Sequence, residues 1–165
     1  DVAELQEQIA NFASSMAEKL RKQRSVAAEM VVFAYTNRFK DSAPQTYSNG
    51  LISFTTPTAN QRQIVADAVQ VTQRIFKKGY GYKKAGVIAT KIIPAGEVMH
   101  SLFEDAAEAQ REQKITSTLD SINATFGKGT IKLAVQGSGK IKSASDNQSP
   151  HYTTKWSDIP KVSVK

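Results

Sequence analysis

The sequence contains no cysteine, which removes a disulfide scaffold, thiolate zinc sites, iron–sulfur clusters and a cysteine nucleophile from consideration. Its two histidines, His100 and His151, stand 51 positions apart with no acidic pair suited to join them, so no metal site is expected. Long apolar runs are also missing: residues 30–35 form a run of six, far below the roughly 20 needed to cross a bilayer. Neither a membrane span nor a signal peptide can be read, and a reducing cytoplasm fits the composition. Tryptophan occurs once and proline five times in 165 residues, a length that suits one domain or one and a half. The chain opens on Asp rather than Met, and is expected to be a piece of a longer protein with any missing chemistry upstream.

Positive charge is in excess, with 22 Lys and Arg against 15 Asp and Glu and a pI near 9.6. It is unevenly placed. Residues 1–18 carry four acids and no base, whereas residues 19–91 carry thirteen bases against Glu29, Asp41 and Asp67. Residues 97–120 are again acidic and residues 121–165 basic. A dense positive segment is what a polyanion surface asks for, because each neutralised phosphate releases condensed counterions. Nucleic acid is therefore the first partner to consider, against the alternative of a merely solvated basic face.

Leu5, Ile9, Phe12, Met16 and Leu20 recur at helical spacing, and predict a helix over residues 1–23. Residues 27–35, rich in Val and aromatics, read as a buried strand, and residues 51–55 as a second that pairs with it antiparallel across a long tip. Thr58 with Gln61 forms a capping-box signature for a helix over residues 59–77 on Ile64, Ala68, Val71 and Ile75. Gly79 and Gly81 break it, and residues 85–93 give another β-branched strand. A third helix is expected over residues 106–125 on Ile115, Leu119 and Ile122, then a strand over residues 130–135 and a polar tail, extended or partly disordered. Leu5, Phe12, Met16, Ile64 and Val71 are the expected core.

Catalytic constellations fail one by one. Two Gly/Lys-rich stretches at 127–130 and 137–140 miss the phosphate-loop pattern, with Ala134 where its first glycine is needed and Ile141 after Lys140. Glu104 and Asp105 are adjacent and diverge in a helix, which suits a helix N-terminus better than acid/base work. No catalytic residue and no metal ligand is assigned.

Several stretches, in order, carry a resemblance. They are Glu18-Lys19-Leu20-Arg21 ending the first helix, Tyr35-Thr36-Asn37-Arg38-Phe39 ending the first strand, and Tyr82-Lys83-Lys84-Ala85-Gly86-Val87. Leu102-Phe103, Leu119-Asp120-Ser121-Ile122-Asn123, Phe126-Gly127-Lys128-Gly129-Thr130 and Ser149-Pro150-His151-Tyr152-Thr153-Thr154-Lys155-Trp156 follow. Together they resemble the little finger domain of Y-family lesion-bypass DNA polymerases, the UmuC-like branch fitting best. The resemblance covers nearly the whole chain. It departs over residues 138–148, where that branch usually carries a Trp and a Met.

The resemblance implies an α+β fold, β-α-β-β-α-β, an antiparallel sheet with two helices on one face. Its first strand is absent from this chain and a C-terminal helix/strand extension is added. That strand is expected to be central, so its loss would leave a gap for upstream residues of a longer parent, residues 130–135 or another chain to fill. The implied organisation is a DNA-binding domain over 1–96, a linker over 97–105 and an extension over 106–165. The function implied is to hold the primer-template duplex by its backbone, without reading sequence, while magnesium-dependent nucleotidyl transfer belongs to a palm domain that no part of this chain resembles. Tyr35, Thr36, Asn37, Arg38, Lys40, Lys83 and Lys84 are the candidate DNA contacts, with Tyr47, Ser48 and Asn49 secondary. Met99, Leu102 and Phe103 fall where the family carries a sliding-clamp motif, Met99 replacing its Gln and His100 a Leu. Accessory subunits of the SOS polymerase are further implied partners. Two other classes compete. An RNA-binding module would need stacking aromatics at the centre of an open sheet face, whereas the seven Phe, five Tyr and one Trp here sit mostly in buried-looking settings, and a protein adaptor would need an exposed apolar patch.

Overall fold

The computed structural model describes residues 1–40, 42–98, 106–138, 149–160 and 162. Helix α1 (Val2–Lys22) starts at Asp1, whose carboxylate accepts the N–H of Ala3, and ends with Lys19, Arg21 and Lys22 in its last turn, where cations favour the helix dipole. Its inward face is Leu5, Ile9, Ala10, Ala13, Ala17 and Leu20. Phe12, expected in the core, is 44% exposed, and Met16 is only partly buried. Three alanines carry the contact instead, and such small side chains let α1 lie close to its neighbours.

Strands β1 (Ser25–Thr36), β2 (Tyr47–Thr58) and β3 (Tyr82–Pro94) form one antiparallel sheet in the order β2-β1-β3. This corrects the expected gap. The middle strand is β1, hydrogen-bonded to β2 on one side and β3 on the other, so a further strand can add only at an outer edge. Helix α2 (Gln61–Ile75) is capped by Asn60, whose side-chain oxygen accepts the N–H groups of Arg62 at 2.9 Å and Gln63 at 3.4 Å. The expected Thr58–Gln61 box is not used. The Thr58 hydroxyl accepts the Asn60 N–H at 3.0 Å and orients the cap. Both helices cover one sheet face, α1 over β1 and β3, α2 over β1 and β2. Met30, Val32, Ala34, Phe54, Ile64, Val65, Ala68 and Val71 complete the core between them.

The extension is fastened to this body through polar groups and through Leu133, which packs against the core. Helix α3 (Ala106–Phe126) presents Asp120 to Arg21, which forks onto it with two hydrogen bonds of 2.6 Å and also donates to the Ala59 carbonyl at 2.9 Å. About two turns away on α3, Glu112 accepts from Arg62 and Asn60. Residues 130–135 are not a strand. Asn123 of α3 exchanges two hydrogen bonds with the Ile131 backbone, at 3.0 and 3.1 Å, and so supplies the pairing a sheet would have offered. A 3₁₀ turn at Ala134–Gln136 then docks on α1, where Asn11 and Gln136 exchange hydrogen bonds of 3.2 Å. Among the described residues no helix is long and apolar enough to cross a membrane.

Candidate nucleic-acid interface

Side chains alternate across a strand, and residues directly opposite one another in an antiparallel ladder share a face. In β1, Met30, Val32, Ala34 and Thr36 are buried towards the helices, which turns Glu29, Val31, Phe33 and Tyr35 to the other side. The register extends this into four rungs across the uncovered face. Tyr47, Tyr35 and Lys84 form the rung nearest the β1–β2 tip, followed by Asn49, Phe33 and Gly86, then Leu51, Val31 and Ile88, then Ser53, Glu29 and Lys91. Tyr47 is 54% exposed, Leu51 60% and Ile88 51%. The ring centroids of Phe33 and Tyr35 lie 6.0 Å apart, as do those of Tyr35 and Tyr47. Among the described residues Glu29 is the one acid on these rungs, and it sits on the rung farthest from the tip beside Lys91.

The structure gathers most of the expected contacts at the tip end of this face. The Arg38 guanidinium carbon stands 5.7 Å from the Tyr35 ring centroid, within cation–π range, and Lys84 shares the Tyr35 rung. Lys83 is the extra residue of a bulge, since Tyr35 pairs with Lys84 and the next residue, Thr36, pairs with Tyr82. Lys40 is exposed in the tip loop, and the Asn37 side chain accepts the Phe39 N–H at 3.2 Å, shaping that loop. Thr36 does not join them. It is 3% exposed and faces the helix side, its hydroxyl donating to Gln45 Oε1 at 2.6 Å and accepting the Thr46 N–H at 3.0 Å. Of the secondary candidates, Tyr47 and Asn49 are on the open face, while Ser48 is buried. Met99, Leu102 and Phe103 lie outside the described residues.

Two parts of the site go beyond what the sequence alone suggests. Lys77 and Lys78 follow α2, which starts where β2 ends and returns to the tip end. Lys77 Nζ reaches the Thr46 hydroxyl at 3.5 Å, and its backbone N–H donates to the Tyr82 hydroxyl at 2.8 Å. Phe33 is hidden in the sequence because residues 30–35 are apolar at every position, which masks the alternation. Phe33, within a strand expected to be buried, in fact lies on the open face beside the candidates Tyr35 and Tyr47. Among the described residues no three His, Asp or Glu side chains converge to hold a metal.

Residues 1–102 match the impB/mucB/samB family C-terminal domain, and residues 113–162 match a domain of unknown function, DUF4113. Among curated proteins, the chain is 32% identical to Protein UmuC of Salmonella typhimurium over 163 residues, covering 98% of this chain and 39% of that protein. It is 32% identical to Protein ImpB of Salmonella typhimurium, covering 92% of this chain and 36% of that protein. With Protein SamB of the same organism the identity is 33%, covering 94% and 37% respectively. The chain thus spans under two fifths of the length of these relatives. Matched over more than half its length, and built as an α+β sheet-and-helix domain, it belongs to the impB/mucB/samB family of UmuC-like Y-family polymerases as their C-terminal domain.

Proposed function

We propose that this domain holds DNA without reading sequence, laying the tip end of its uncovered sheet face along the backbone of a primer-template duplex for a translesion polymerase. The observation that carries the reading is one-sided coverage. Both helices sit on one face, and the other presents Tyr35, Arg38 and Lys84 beside the exposed Lys40 and Lys83. Cations and hydroxyls so placed attract phosphates and fix register while leaving base identity unread. Polymerisation itself belongs to the remainder of a longer protein in this reading, and Leu102 and Phe103 serve as apolar anchors for a sliding clamp.

The test is a fluorescence-anisotropy titration of the chain with two duplexes of unrelated sequence across a series of salt concentrations. Replacing Arg38, Lys83 and Lys84 by Ala should weaken both duplexes alike and lower the salt slope by about one for each phosphate that is no longer neutralised. Unchanged affinity and slope in the triple variant would rule out this face.

A further inference from the structure

Building on the nucleic-acid reading above, we infer that Phe33, Tyr35 and Tyr47 form a stacking platform for unpaired bases, so that the ligand of this face includes single-stranded DNA. Backbone contact needs cations, hydroxyls and amides, and the Phe33 side chain supplies none of these. In a duplex the base faces are stacked on one another, and an aromatic side chain meets them only where bases are unpaired. The three rings run without interruption across two rungs and two strands, in steps of 6.0 Å. Opposite Phe33, β3 carries no side chain: a Cβ on Gly86 would come within 2.9 Å of the ring's Cζ. The neighbouring rung, Val31 with the exposed Leu51 and Ile88, continues the apolar surface.

Charge decides what covers these rings. Arg38 lies over Tyr35, Lys84 is on its rung, and Lys83 and Lys40 are exposed beside the same end. An apolar protein surface gains nothing from such a border. A strand with one phosphate per base, and a π-face on each base, satisfies both the rings and the cations.

The experiment uses the whole chain and labelled probes with equal numbers of phosphates, at one salt concentration. They are an oligo-dT strand, the same strand with every base replaced by an abasic tetrahydrofuran, and a duplex, with polyglutamate as a competitor. The expected result is oligo-dT bound roughly tenfold more tightly than the abasic strand for each ring engaged. Phe33→Leu, which keeps apolar bulk without a π-face, and Tyr47→Leu, at a position already half in solvent, should each bring that ratio towards one. The ratio cancels any general weakening of phosphate binding, and Tyr47→Leu reads out the platform even if Phe33→Leu folds poorly. Equal affinity for the dT and abasic strands, with duplex bound, would overturn the platform and leave backbone binding standing. A dT preference that survives both Leu variants would place the base contact elsewhere and also overturn it. Displacement by polyglutamate in preference to dT would assign the face to an acidic protein. Failure to bind every DNA probe would defeat the backbone reading, and the platform with it.

Discussion

Gly50 lies in β2 beneath α2, opposite the inward-facing Val32, and a methyl group placed on it would come within 2.5 Å of Val71 Cγ1 and 3.4 Å of Ile75 Cγ2. Ordinary carbon contacts lie near 3.5–4.0 Å, so Gly50→Ala forces an overlap of roughly 1 Å. Val71 cannot swing aside, because a β-branched residue in a helix has one strongly favoured rotamer, and it is 2% exposed. Overpacking of this kind costs about 1–3 kcal/mol. Gly50 has no left-handed φ, so alanine is conformationally tolerated there and recovers about 0.4–1 kcal/mol from the unfolded chain. The net loss is about 1–2 kcal/mol, or about 2–8 °C in Tm for a domain of this size. Val71→Ala removes two methyl groups, worth about 0.8 kcal/mol each in transfer, plus a cavity term, for a loss of about 2 kcal/mol. The double variant removes the atom the new methyl would strike and fills part of the hole, so it should be more stable than the sum of the singles by about 1 kcal/mol or more. Urea melts followed by circular dichroism, with the m-value held constant, measure all three. Additivity within about 0.5 kcal/mol would show that α2 does not cross β2 this closely.

Arg21→Lys keeps the charge but loses the fork that joins α1, the Ala59 carbonyl and Asp120. It should cost about 1–2 kcal/mol and raise hydrogen exchange in α3, and unchanged exchange there would refute the anchor. Burial pushes the Asp67 carboxyl above the usual range, against a smaller opposing pull from Arg74. A raised folded value means that its stabilisation is complete below the unfolded pKa, near 4, and is lost as pH rises through the folded value. Asp67→Asn should therefore match or raise Tm at pH 7, with the difference shrinking towards pH 4, and a loss constant with pH would refute the sign. Leu5→Ala, in the core, should cost about 2 kcal/mol or more, whereas Phe12→Ala, half in solvent, should cost clearly less, and equal losses in thermal melts would refute the assigned face of α1.

Much of the fold was legible because each element carries its own periodicity. The helices followed from apolar spacing, and the strands from β-branched runs closed by Gly and Pro. The spacing of large residues points α1 inward through Phe12 and Met16, whereas the small Ala10, Ala13 and Ala17, which carry no such signal, are the fully buried ones. Strand β2 is longer than expected because Asn49 and Gly50 before that run and Pro57 after it, which read as turn or loop residues, lie within it. The candidate site was legible where it lies at strand ends, at Tyr35, Arg38, Lys83 and Lys84. Thr36 stands one position of alternation from Tyr35, which is the whole difference between the core and the open face. The pairing of Asn123 with Ile131 had no local sign, since it joins a helix to a segment eight residues on.

The two ends of the sheet differ in how their cations are matched. Away from the tip, Arg21 pairs with Asp120, Lys22 with Glu18, Arg62 with Glu112, and Lys91 shares a rung with Glu29. Arg38, Lys40, Lys77, Lys78, Lys83 and Lys84 cluster at the other end, while Glu4 and Glu7 belong to α1, behind the sheet. Among the described residues this distribution has a dipole moment with its positive end at the tip. A polyanion within about one Debye length, about 8 Å at physiological ionic strength, exerts a torque on it before any atoms touch. If the face binds DNA as proposed, collisions would thereby be turned tip-first, with the rings already facing the strand. Salt should then slow arrival more than it hastens departure.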